Sequence, residues 1–302
     1  MDDYTALSKK VDKLRNELNI ADCIIIGAGT GLVLAEGIDY WGPRFEKYFW
    51  DFEEEYGFGD MFKGMFTMYN CPEESWAFWS RSAWLNQYAY YPLNVHKKLF
   101  TLIKDKDYFV LTTNIEHCFQ RSGFDTNRLF FTQGEYGLWQ CSEPCHSKTY
   151  DNYAQVRQMV LAQGFDIGKQ NELIVPEEKE KISMAIPTEL IPTCPKCGKS
   201  MNVNLRNDDT FVEDGNWKSM ESRYNSYLET HRNKRTVFLE IGVGWNTPGI
   251  IKYPFQFMTQ KWPNAIYVNI NKGQADAFGE VADRSLCINA DIETVLDMLI
   301  AQ

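Results

Sequence analysis

The chain has 302 residues, 44% of them hydrophobic and 24% charged, which supplies apolar material for one large core or two smaller ones. Its formal net charge of −10, with no Lys/Arg run to offset it, argues against a nucleic-acid partner held by phosphate neutralisation. No apolar stretch approaches the length of a membrane span, and the start, Met1-Asp2-Asp3-Tyr4-Thr5, is polar and acidic rather than a signal peptide, so a cytoplasmic protein with no membrane partner is expected.

Residues 4–19 carry Leu7, Val11, Leu14 and Leu18 at helical spacing among charges and predict an amphipathic helix packed on a sheet. Cys23-Ile24-Ile25-Ile26-Gly27-Ala28-Gly29 follows. Its isoleucines suit a strand buried on both faces of a parallel sheet, and its glycines let backbone amides approach a pyrophosphate. Gly27-Ala28-Gly29-Thr30-Gly31 lacks the full G-x-G-x-x-G spacing, so a plain strand-to-helix turn that needs residues without bulk stands as the alternative.

From 38 to 96, Tyr, Trp, Phe and Met are dense and β-branched residues few, which predicts a helical insert with an aromatic core rather than a stacking platform for bases. Residues 99–103 close a helix, 108–112 form a second strand and 129–132 a third, with Gln133-Gly134 at its end. Residues 139–201, bracketed by cysteine pairs and carrying Pro176, Pro187 and Pro192 beside a charged stretch at 177–181, read as a small excursion from the sheet. A helix over 216–232 leads back to a strand that meets Gly242 and Gly244. Residues 265–270 and 286–288 are further strands, and 292–300 is an amphipathic helix. The alternation predicts an α/β fold: a doubly wound parallel, Rossmann-like sheet over 1–138 and 202–302, a helical insert at 38–96 within it, and a smaller zinc-ribbon plus helical module at 139–201.

Of the eight cysteines, Cys23, Cys71, Cys118 and Cys287 stand alone, while Cys141/Cys145 and Cys194/Cys197 form close pairs. In a reducing compartment such pairs favour metal over disulfide, and four thiolates are the complement of a closed structural zinc site. Cys194-Pro-Lys-Cys197-Gly198 has the tight turn of a zinc knuckle, and His146 is a possible substitute ligand. At the end of the second strand, Asn114 and Glu116 have two readings, a ligand site or an Asx-type turn capping the next helix. His117 is the candidate acid or base, with a surface or packing role as its alternative. Gln133 has no useful pKa and cannot act as a general base.

Taken in order, these segments make the chain resemble the sirtuin family of NAD-dependent enzymes over most of its length. Gly27-Ala28-Gly29 is similar to that family's first glycine turn and Thr113-Asn114-Ile115-Glu116 to its Gln-Asn-Ile-Asp motif. Gln133-Gly134 falls at the His-Gly position, and the four zinc cysteines follow. Gly242-Val243-Gly244 stands where the family has Gly-Thr-Ser, and Val268-Asn269-Ile270 where an Ile-Asn pair holds the adenosine ribose. The family's Gly-Ile-Pro-Asp-Phe-Arg segment is reduced to Gly37-Ile38-Asp39-Tyr40, and whether Arg44 replaces the missing arginine stays open.

The departure at Gln133 carries most meaning. In deacylating sirtuins the histidine here takes a proton from a ribose hydroxyl, which glutamine can orient but not accept. Nicotinamide departure needs only a positioned ribose, a held carboxamide and excluded water. The chain thus resembles the class M, macrodomain-linked sirtuins, which implies a protein ADP-ribosyltransferase with NAD as substrate and a structural zinc. Asn114 and Gln133 are then the catalytic pair, and Gly27, Ala28, Gly29, Thr113, Asn114, Ile115, Glu116, Gly242 and Asn269 hold NAD. The same resemblance implies a lipoylated glycine cleavage H-like carrier protein as acceptor, a macrodomain protein that removes the mark, and a response to oxidative stress. The alternatives are an NAD-dependent deacylase using a base such as His117, and a non-catalytic NAD or ADP-ribose binding module.

Overall fold

The computed structural model describes residues 2–245 and 248–301. The chain opens with α1 (Asp2–Ile20), β1 (Cys23–Ala28) and the short α2 (Thr30–Ala35). Helices α3 (Pro43–Tyr56), α4 (Met61–Met65) and α5 (Pro72–Ala83) follow, the last running into a π-helical turn at Trp84–Tyr88. Then come α6 (Asn94–Ile103), β2 (Tyr108–Thr112), α7 (Cys118–Arg121), β3 (Leu129–Phe131), β4 (Gly134–Cys141), β5 (Tyr150–Asp151) and α8 (Tyr153–Ala162). The remainder comprises β6 (Asp166–Ile167), β7 (Leu173–Ile174), β8 (Met201–Leu205), α9 (Gly215–His231), β9 (Thr236–Ile241), α10 (Lys252–Lys261), β10 (Ala265–Ile270), β11 (Ser285–Ile288) and α11 (Ile292–Ile300). Among the described residues, no helix is long and apolar enough to cross a membrane.

The chain divides into two compact units, Met1–Gly37 with Pro92–Thr132 and Asn216–Gln302, and Ile38–Tyr91 with Gln133–Gly215. The first holds a six-stranded sheet in the order β11-β10-β9-β1-β2-β3, with every pairing parallel. Central strands of such a sheet are covered on both faces, which is why β1, β2 and β9 are buried throughout and apolar nearly throughout. Their alternation sends Ile24, Ile26 and Ala28 into one cluster with Val11, Leu14, Leu99 and Val295, and Ile25 into the other with Phe109, Phe238, Met220 and Phe255. Each such fully buried side chain contributes about 1.5–3 kcal/mol. Helix α10 begins Lys252-Tyr253-Pro254, a sequence that reads as a breaker; in the first turn a proline removes no intrahelical bond, so the helix forms.

The second unit has a helical part and a small-sheet part. Phe45, Phe49, Phe52 and Phe78 are wholly buried, with ring centroids of successive pairs 5.2–6.2 Å apart, so the aromatic run is the core of a helical insert. Strands β5-β4-β8 form an antiparallel sheet in which Gln140 pairs with Asn202 and Cys141 with Met201. Residues 134–138 and 202–205 thus belong to this small sheet, outside the 139–201 span drawn from the cysteines, because strand pairing extends past the ligands on both sides. The unit also takes in 38–91 and stops before α6.

Candidate active site

In the six-stranded sheet the strand order reverses between β1 and β9: β2 and β3 lie to one side, β10 and β11 to the other. Ligands of open α/β sheets bind outside the carboxyl ends at such a switch point. The carboxyl ends here are Gly29-Thr30-Gly31 and Gly242-Val243-Gly244, held together by Gly29 N–H to the Ile241 carbonyl at 3.1 Å and Gly31 N–H to the Gly242 carbonyl at 2.9 Å. A Cβ on Gly29 would stand 2.8 Å from the Gly242 oxygen, so this close approach admits glycine alone. Gly27 has a different reason: its Cβ would meet Ile251 at 2.3 Å, so it lets α10 pack on the sheet.

The end of β2 is bonded to the same turn. Thr113 N–H and the Thr112 hydroxyl both donate to the Ala28 carbonyl, at 3.1 and 2.9 Å. Asn114 donates its backbone N–H to Thr112 Oγ1 at 3.0 Å and sends its side-chain Nδ2 to the Gly29 carbonyl at 3.1 Å. Ala28, Gly29, Thr113, Asn114 and Gly242 are therefore one bonded arrangement, with Gly27 packed beneath it against α10.

Ile115 continues it, donating its N–H to Glu116 Oε2 at 2.9 Å. Glu116 is 3% exposed, and burial pushes its carboxyl up to about 7, against the pull of the backbone bonds from Ile115 and from its own amide. His117 takes left-handed backbone at φ 56° before α7 and lays its ring 5.5 Å from that of Phe131. Burial, with Arg121 nearby, lowers its imidazole to about 4.

Gln133 opens the second segment of the other unit, where its carbonyl accepts Arg206 N–H at 2.9 Å. Gly134 beside it has φ +80°, and a Cβ there would lie 1.9 Å from the Asn204 carbonyl oxygen. Glu135, on β4, has no mark in the sequence; it is 7% exposed and driven up to about 8 by burial and then by Asp214 and Asp151. No local signal marks it, since its acidic neighbours lie on distant segments. Arg44 spends its guanidinium inside this unit, on the Asp39 and Leu85 carbonyls, Asn86 Oδ1 and the Tyr91 hydroxyl.

Asn269 lies inside β10, wholly buried, its amide nitrogen 3.1 Å from the Asp276 carbonyl and 3.4 Å from that of Gln274. Asn271 is the asparagine at the carboxyl end, one residue past the strand, donating to the Val243 carbonyl at 2.9 Å. The signal that finds it is the strand boundary, because the residue past Ile270 stands at the carboxyl edge, where open α/β sheets bind ligands.

The sulfurs of Cys141, Cys145, Cys194 and Cys197 all lie within 4.8 Å of one another, with Cys141–Cys197 at 3.6 Å and Cys145–Cys194 at 3.7 Å. A tetrahedral zinc with bonds of about 2.3 Å sets its sulfurs about 3.8 Å apart, so the cluster fits a closed structural zinc. His146 stands outside the four, its Nδ1 3.0 Å from the Cys145 sulfur and its Nε2 2.7 Å from the Tyr150 hydroxyl. It orients a ligand rather than replacing one.

No protein-family model matches the chain. Among solved structures it is similar to a Sir2 homologue in complex with NAD, with a TM-score of 0.58 at 14% identity over 96% of this chain and 92% of the other. It is likewise similar to a Sir2 protein bound to an acetylated peptide, with a TM-score of 0.57 at 14% identity over 96% and 97%. The fold, with its six parallel strands and four-cysteine module, is that of the sirtuins. The sequence is 38% identical over 298 residues to a protein ADP-ribosyltransferase of Staphylococcus aureus, covering 98% of this chain and 88% of that relative. The chain belongs to this sirtuin-type ADP-ribosyltransferase family. A Fusarium oxysporum f. sp. cubense relative named "Probable bifunctional ADP-ribose hydrolase/ADP-ribosyltransferase" is 25% identical over 302 residues; 95% of this chain is covered, and it spans 47% of that relative.

Proposed function

We propose that the protein transfers ADP-ribose from NAD to a lipoylated glycine cleavage H-like carrier protein in the cytoplasm, releasing nicotinamide, as a class M sirtuin. The observation that carries this reading is the bond from Asn114 Nδ2 to the Gly29 carbonyl, which makes the glycine turn and the Thr113–Glu116 segment one preorganised cradle at the switch point. The glycosidic bond between the ribose C1 and nicotinamide breaks, nicotinamide leaves with the electron pair, and a nucleophile of the acceptor forms the new bond to C1 and gives up its proton to solvent. Gly27, Ala28, Gly29, Gly242 and Asn269 hold the dinucleotide, with Asn271 added at the strand end; Asn114 and Gln133 orient ribose and nucleophile, and Glu116 steadies the carboxamide. None of these steps needs a strong base, which suits a glutamine at position 133.

Support for a linked macrodomain partner that removes the mark is the Fusarium relative, whose name joins a hydrolase to a transferase and of which this chain spans 47%. The carrier and the link to oxidative stress rest on the resemblance to class M. Against a deacylase stands His117, whose ring packs on Phe131 and whose imidazole, near 4, is a weak base at neutral pH.

The test is incubation with labelled NAD and carrier protein, bare and lipoylated, following nicotinamide release and label on protein. Label on the lipoylated carrier alone is expected, and its loss in Asn114→Ala with zinc retained. Turnover of an acylated peptide would establish the deacylase instead, and NAD bound without nicotinamide release the binding module.

A further inference from the structure

Trp245 lies three residues past Gly242 at the carboxyl end of β9, yet it is 42% exposed, unusual for an indole at a glycine-lined sheet end. What lies behind it is more unusual still. The ammonium of Lys252 sits 5.0 Å from the indole centroid while being itself wholly buried. It is fixed by Glu240 Oε1 at 2.6 Å, and Glu240 Oε2 in turn accepts the Tyr267 hydroxyl at 2.6 Å. Asp276 stands 3.7 Å from the same ammonium, and Tyr253 tilts against the indole at 6.1 Å.

A lysine buried in the first turn of α10 is costly unless paired, and its carboxylate partner comes from the strand that ends in the glycine turn. The pair thus carries a cation to one face of an aromatic ring, where cation–π attraction holds the ring in place and draws electron density toward that face. The indole's 42% exposure leaves surface that a planar, electron-rich partner can cover. Gly244, next in sequence to Trp245, adds no bulk: among the described residues a Cβ there would have the Gln274 side chain, at 3.6 Å, as its neighbour within 4 Å.

We infer that Trp245 is a specificity-determining residue that stacks on the adenine of the bound dinucleotide, with Lys252 positioning the indole from beneath. This rests on the dinucleotide reading above and adds to it the group that distinguishes a base-bearing ligand from a mononucleotide without adenine. No sequence pattern hints at it, since Lys252 looks like an ordinary surface lysine until Glu240 is seen opposite.

The experiment is calorimetric titration of the full chain with ADP-ribose and, separately, with nicotinamide mononucleotide, for wild type, Trp245→Ala and Trp245→Phe. Base–aromatic stacking predicts that Trp245→Ala weakens ADP-ribose binding about 5- to 100-fold while Trp245→Phe stays within a few-fold of wild type. Nicotinamide mononucleotide should bind all three alike. Indole fluorescence supplies a second readout: quenching by ADP-ribose should be largely lost in Trp245→Phe although binding persists. Equal ADP-ribose affinity in wild type and Trp245→Ala overturns the stacking, as does a parallel loss for both ligands. A wild-type protein that binds no ADP-ribose overturns the dinucleotide reading itself and the stacking with it.

Discussion

Gly31 and Gly242 touch backbone to backbone where β1 and β9 part. A Cβ on Gly31 would lie 2.7 Å from Gly242 Cα, and one on Gly242 would lie 2.5 Å from the Leu32 nitrogen. Neither neighbour is a side chain able to swing away, and Gly242 also has φ +62°. Gly31→Ala should therefore cost about 1–3 kcal/mol of stability and weaken NAD binding by moving the turn. Gly215→Ala, at a helix start with nothing within 4 Å, should do neither. Paired denaturation and NAD titration of the two variants check this, and equal behaviour would remove the close approach as the reason for the glycine.

Glu116 gives the protein a pH dependence with a definite sign. Its carboxyl lies at about 7 when folded against an ordinary 4.5, so the folded state binds the extra proton between those values. Its contribution is present in full below pH 4.5 and is lost as pH rises through 7, a loss of about 3 kcal/mol. Glu116→Gln removes the titration. The stability of the variant relative to wild type should rise by about 2.5 kcal/mol between pH 5 and pH 8. His117 acts with opposite sign, losing its contribution as pH falls from 6.5 toward 4, but it is present in both proteins and cancels. Parallel pH profiles for the two proteins would place the buried proton elsewhere.

What could be read from the chain itself follows physical range. The isoleucine run of β1 and the apolar periods of α1, α6 and α11 were legible because burial on two faces, or on one stripe, writes itself into neighbouring residues. The zinc cysteines were legible because their spacing is local within each pair. Strand order was not: β1 lies against β9, which begins 213 residues later. The same holds for the bonds of Arg81, whose partners lie 30 to 102 residues away, and the Glu240–Lys252 pair, though 12 residues apart, joins a strand to a helix that periodicity does not connect. At the candidate site, Asn114 was legible at the end of its strand, where the structure bonds it to the glycine turn, while Asn271 carries no local pattern of its own and shows only through its bond to the Val243 carbonyl, 28 residues away.

The four-cysteine cluster predicts one zinc per chain, released by chelator. Cys141 ends β4 and its three fellow ligands are carried by the segments between β4 and β8, so losing the metal frees the ends of that small sheet. Ligand binding and local folding are coupled, with about 10–16 kcal/mol associated with a structural zinc in small peptides. Cys194→Ser should contain no stoichiometric zinc, and limited proteolysis should then cut between 142 and 200 first. A metal-free variant as resistant as wild type would show that the module holds without zinc.

Arg81 should be among the most sensitive positions for stability in the helical insert. Its buried guanidinium uses all of its donors: Nε on Gln163 Oε1 at 2.6 Å, Nη1 on the Tyr48 carbonyl at 2.9 Å and Asp51 Oδ1 at 2.7 Å, Nη2 on Asp51 Oδ2 at 2.7 Å and the Ser183 carbonyl at 3.0 Å. The rings of Phe52 and Phe165 lie 4.8 and 4.9 Å from its centre, so the planar group is also stacked. Burial alone pushes its proton affinity down, and the bidentate carboxylate of Asp51 is what keeps it charged. Arg81→Met leaves that carboxylate, two backbone carbonyls and Gln163 Oε1 without their donor and should cost about 3–5 kcal/mol. Arg81→Lys keeps the charge but offers three donors in place of five and no plane to stack, so it should recover only part of the loss. Replacing Arg81 and Asp51 together, with methionine and leucine, should cost less than Arg81→Met alone, because no carboxylate is then left facing an apolar core. Urea denaturation of the three variants separates these outcomes, and a double variant weaker than Arg81→Met would mean that the aromatic stack, not the ion pair, is what the arginine provides.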